Sequence, residues 1–94
     1  MLKITIPSNT DSNLNFAIFE QYDLPAPLDG VDAEINGDLI LKFENEEEAV
    51  IYSEQLKNLS EGLDDKSSAA YLAIGDLIMA IFRDEFVQAY IEEN

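Results

Sequence analysis

Apolar and polar positions alternate twice in the first half of the chain, and a helical spacing takes over in the second. Residues 2–6 alternate with Leu2, Ile4 and Ile6 on one side and Lys3 and Thr5 on the other, the pattern of a half-buried strand that Pro7 ends. Val31, Ala33 and Ile35 alternate with acids, and Leu39, Leu41 and Phe43 alternate again after Asn36-Gly37. Residues 31–43 therefore predict a β-hairpin. A two-residue Asn-Gly loop would put Leu39 and Leu41 on the wrong face, so a three-residue loop is expected. With the loop at 35–37, Ala33 faces Leu39 and Val31 faces Leu41. With the loop at 36–38, Ile35 faces Leu39 and Asp32 faces Lys42.

The segment between these strands is less regular. Residues 14–22 fit a short helical stripe through Leu14, Ala17, Ile18 and Tyr22, with Asp11 or Ser12 as cap. Leu14, Phe16 and Ile18 fit a strand as well, and helix is the preferred reading. Pro25 and Pro27 make residues 23–30 an extended connection.

After the hairpin the period becomes helical. Asn45 with Glu48 three residues on reads as a capping box, and Glu46, Glu47 and Glu48 suit the positive end of a helix dipole. Ala49, Tyr52, Leu56, Leu59 and Leu63 form one stripe, and Gly62 stands where a left-handed glycine would end the helix. Residues 68–92 read as a second long helix. From Ala69 to Phe82 only Gly75 and Asp76 are not apolar. Phe82, Phe86, Ala89 and Tyr90 make one face, and Ala70, Ile74, Leu77 and Ile81 make a second stripe on the other side. A helix apolar on two sides must be covered on two sides. The simpler cover is the chain's own sheet and helix; the alternative is a homodimer seam at Ala70, Ile74, Leu77 and Ile81. The apolar run is too short for the ~20 residues of a membrane span. The expected fold is α+β in a single domain over residues 1–94. A small antiparallel sheet (strand 2–6 plus hairpin 31–43) packs on a C-terminal helical hairpin (about 46–61 and 67–92).

Charge changes the picture more than composition does. Twenty acids against five bases give −15 on 94 residues, while 47% of the residues are apolar. That combination belongs to a folded acidic protein, not to a disordered tail. Such a surface repels nucleic acid and anionic membrane directly and attracts basic proteins. The chain has no cysteine and no histidine, which removes the thiol nucleophile, the commonest general base and the commonest zinc ligand. No secretory leader is visible in the first ten residues, so a cytoplasmic location is expected.

Candidate chemistry is thin. Asp32, Glu34, Asn36, Gly37 and Asp38 fall at early positions of a calcium-loop pattern, but Phe43 stands where the twelfth-position Glu is required, and strands flank the loop where helices should. Asp76 is the one acid set within the apolar run; a solvated gap in the stripe, or a pairing with Lys66 or Arg83, is its ordinary explanation. No phosphate-binding loop, catalytic set, metal cluster or cofactor motif is present, and the chain is expected not to be an enzyme. The acids that gather in the expected fold are Asp32, Glu34 and Asp38 on the hairpin, with Glu44, Glu46, Glu47 and Glu48 at the following corner. A further set, Asp84, Glu85, Glu92 and Glu93, lies near the C-terminus. The expected function is a macromolecular inhibitor whose carboxylates stand where phosphates would, in the basic groove of a nucleic-acid-handling protein. Phage-type anti-defence proteins and nuclease immunity proteins share this composition; no motif ties the chain to a family of them. The alternative is a self-associating regulatory module with incidental acidity.

Overall fold

A computed structural model describes residues 1–7, 17–35, 37–65 and 68–93. The chain is α+β, with a three-stranded antiparallel sheet backed by helices on one face. Strands β1 (Leu2–Ile6), β2 (Val31–Ala33) and β3 (Leu39–Phe43) lie in the order β1-β3-β2, so the last strand in sequence is central. The reason is visible in the pairing. Leu2, Ile4 and Ile6 stand opposite Phe43, Leu41 and Leu39, and Val31 and Ala33 stand opposite Leu41 and Leu39 from the other side. Every inward apolar side chain of β3 thus has apolar neighbours across the ladder, and all three are buried.

The hairpin has the three-residue loop at 35–37. Ala33 faces Leu39 and Val31 faces Leu41, the first of the two expected registers. The Glu34 N–H donates to the Asp38 carbonyl at 2.8 Å, and Gly37 takes φ 94°, a left-handed value that suits glycine. In this register Asp32 faces Ile40 and reaches Lys42 diagonally, at 3.1 Å. That pair offsets the like charge of Lys3, which stands directly opposite Lys42.

Helix α1 (Ile18–Gln21) is a single turn that buries Ile18. The helical reading of 14–22 holds from Ile18 onward; its expected cap at 11–12 and its first residues lie outside the described residues. Helix α2 (Glu46–Glu61) starts where expected, with the Asn45 side chain accepting the Glu48 N–H at 3.0 Å. Gly62 departs from expectation: its φ of −81° is right-handed, and its N–H simply continues the helical bonding to Asn58 and Leu59. Ala49, Tyr52 and Leu56 are buried as the stripe required, Leu59 is 42% exposed, and Ser53 is buried with its hydroxyl donating to the Val50 carbonyl.

The final helix is two helices. Helix α3 (Ala69–Arg83), capped by Ser68, ends at Asp84, whose backbone is extended, and α4 (Glu85–Glu93) follows. The Asp84 carboxylate accepts the N–H groups of Phe86 (3.0 Å) and Val87 (3.1 Å) and so starts α4. The Gln88 side chain donates back to the Phe82 carbonyl at 2.9 Å, satisfying an acceptor left by the break. The turn re-aims the following face: Val87 is fully buried, while Phe86 is 58% exposed.

Three of the four residues of the expected seam are interior. Ile74, Leu77 and Ile81 are buried among the core of their own chain, packed with α2 and the sheet, and Ala70 is half-buried. Among the described residues, no helix is long and apolar enough to cross a membrane.

Candidate partner-binding surface

Six of the seven acids singled out by sequence fall at the two ends of β3. Glu34 and Asp38 close the hairpin at one end; Glu44, Glu46, Glu47 and Glu48 form the corner where β3 passes into α2. Six residue steps of extended chain separate Asp38 from Glu44, roughly 20 Å. Asp32 lies between, on the sheet face away from the helices, and is engaged with Lys42. The carboxylates therefore form two groups joined by a strand.

The corner group is held on rigid backbone. Glu44 sits in the bend, and Glu46, Glu47 and Glu48 occupy the first turn of a helix of 16 residues whose cap is made. Three carboxylates there complement the helix dipole, which lowers the cost of holding like charges together.

Sequence reasoning missed Asp29. The connection 23–30 folds back over the start of α2, and it is fixed there by the Tyr52 hydroxyl donating to the Pro25 carbonyl at 2.7 Å. The turn closes with the Gly30 N–H on the Pro27 carbonyl, and the Gly30 carbonyl accepts the Lys42 N–H. Asp29 thereby reaches the same mouth as Glu44 and Glu48. Between loop, strand and helix is a cleft of about 190 Å³, floored by Phe43 and Tyr52 with Leu28 and Ile51 at its opening. The two rings lie 5.6 Å apart in a tilted arrangement. Burial pushes the Tyr52 phenol well above the ordinary tyrosine range. No local period in the sequence announces this fold-back, because it depends on one hydroxyl finding one carbonyl 27 residues away.

The other candidates stand apart. Asp76 is half-buried on α3 and forms no ion pair with Arg83; Lys66 lies outside the described residues. The loop with calcium-like spacing is flanked by strands, and Phe43 points into the core. Among the described residues no group of three or more acids is arranged to hold a metal ion. Asp84 is used as a helix cap. Phe86 borders a shallow hollow shared with Lys3, Glu44 and Glu46, which brings the start of α4 beside the acidic corner.

Comparison of the chain with known protein families, with curated proteins and with solved structures returns no match.

Proposed function

We propose that this chain is an acidic macromolecular-binding protein that inhibits a nucleic-acid-handling protein by occupying its basic groove, in an anti-defence or immunity-like role. The observation that carries the reading is the charge of −15 on a folded domain. Part of that charge sits as carboxylates at the two ends of β3. A groove built to neutralise successive phosphates presents Lys and Arg at intervals, and carboxylates on rigid backbone use the same cations without paying to order a flexible tail. Glu34 and Asp38 at one end, Asp32 on β2 between, and Glu44, Glu46, Glu47 and Glu48 at the other end are the contact residues of this reading. Its partner is a basic protein, and no catalytic step is assigned to the chain.

A pull-down from source-cell lysate at ~50 and ~500 mM salt tests it, since charge-driven contacts weaken steeply over that range. Capture of a basic nucleic-acid-handling protein at low salt and its loss at high salt is the expected result. Recovery of the bait alone at both salts counts against it.

Self-association is the second reading, on different residues from the interior stripe. Leu72, Met79 and Phe82 are 57%, 50% and 37% exposed along α3. A dimer through them would persist at high salt in sedimentation and dissociate in Leu72→Glu.

A further inference from the structure

The cleft beside the acidic corner has a shape and lining that the charge count alone does not explain. Its volume of about 190 Å³ is below the ~300–1,000 Å³ of small-molecule sites. It suits one long side chain. Its floor is aromatic, and two apolar side chains stand at its mouth: Leu28 is 95% exposed and Ile51 40%. Its rim carries Asp29, Glu44 and Glu48, and none of the three forms an ion pair among the described residues. Lys42 is engaged by Asp32, and Lys3, which borders the neighbouring hollow with Glu44 and Glu46, forms no ion pair with either. An occupant must therefore combine an apolar stem with a cationic head.

We propose that this cleft receives an arginine side chain of the basic partner. The methylene stem lies along Leu28, Ile51 and the Tyr52 ring, and the guanidinium meets the carboxylates at the rim. Arginine fits better than lysine: its planar head donates to several carboxylates at once, packs on aromatic faces and is less costly to dehydrate. The loop wall is already fixed by the Tyr52–Pro25 hydrogen bond, so binding need not order it. The proposal deepens the reading of a basic partner and supplies an anchor within an otherwise diffuse charge attraction.

The test uses the isolated full chain with capped tripeptides Gly-X-Gly at low salt, followed by amide NMR shifts. X is arginine, lysine, leucine or citrulline, the uncharged isostere of arginine. Saturable shifts confined to residues 26–29, 43–44 and 48–55, strongest for arginine and absent for citrulline and leucine, are expected. Glu48→Gln and Glu44→Gln should each weaken arginine binding about two- to fivefold, the worth of a partly exposed ion pair. Glu54→Gln, farther along the same helix and outside the cleft, should leave it unchanged. Equal shifts at every acidic segment, equal binding of lysine, or indifference to Glu44→Gln and Glu48→Gln would overturn the cleft. The basic-partner reading stands or falls separately, on the salt-dependent pull-down.

Discussion

At the scale of single residues, Tyr52 joins helix, strand and loop. Its ring packs on Phe43 and floors the cleft, and its hydroxyl ties the loop at Pro25. Tyr52→Phe keeps the ring and removes that bond, which should cost about 1 kcal/mol and loosen the wall carrying Leu28 and Asp29. The same phenol sets a pH dependence. Its folded pKa is raised by burial, so below about pH 10 it is protonated in both folded and unfolded chains and contributes no slope. Above that, the unfolded chain releases the proton first and is favoured, so stability falls as pH climbs past about 10. Denaturant melts between pH 9 and 11.5 should show a steeper loss for the parent than for Tyr52→Phe; equal slopes would mean the phenol is not held neutral by the fold. Val87 and Phe86 make a second residue-scale contrast. Val87→Ala empties a fully buried position and should cost about 2–3 kcal/mol, whereas Phe86→Ala removes a larger but mostly exposed ring for under about 1 kcal/mol. A continuous helix with Phe86 on its inner face would reverse that order in chemical denaturation.

At the scale of elements, the break at Asp84 determines how the C-terminal third is used. An apolar period running from Tyr71 to Tyr90 looks continuous by composition, because no Gly or Pro interrupts the joint. What the period hides is that Asp is also a strong cap, and Asp84 is followed by Glu85 in the first turn. Asp84→Ala removes both cap bonds and should cost about 1 kcal/mol, with lowered amide-exchange protection concentrated in α4. Unchanged protection there would show that packing of Val87 alone sets the joint. The interior stripe of α3 gives the companion test. Leu77→Glu places a charge at a fully buried site and should abolish cooperative unfolding, whereas Met79→Glu, at a half-exposed site, should leave the fold intact. In the hairpin local chemistry set the loop length, and the structure chose between the two registers it left open. The two-face alternation of residues 31–43 demanded an odd loop, and Gly37 supplied the left-handed position that such a loop needs.

At the scale of the whole molecule, the excess of fifteen negative charges acts on every element together. Folding brings Glu44, Glu48 and Asp29 to one mouth and stacks Glu46, Glu47 and Glu48 on one turn, closer than an expanded chain would hold them. Repulsion therefore falls more heavily on the folded state, and screening favours folding. The melting temperature should rise between low salt and ~0.5 M, where the screening length shrinks to a few ångströms. A flat or falling melting temperature would mean that the carboxylates are too far apart to repel.

The sequence by itself determined the α+β class, the inward faces of β1 and β3, the three-residue hairpin loop, the start of α2 and the acidity. Each of these is written in residues a few positions apart, through period, cap chemistry and turn chemistry, and survives whatever the rest of the chain does. The expected inward face of the second strand failed at Ala33 and Ile35, which are exposed. Only the tertiary structure decided that β3 is central, that Ile74, Leu77 and Ile81 face the chain's own core, that the last helix bends at Asp84, and that Asp29 joins Glu44 and Glu48. An apolar stripe says that a face must be covered and is silent on what covers it. Likewise, a carboxylate has no sequence signal for its spatial neighbours. Those were fixed by contacts between distant segments, above all the packing of α2 on α3 and the bond from Tyr52 to Pro25.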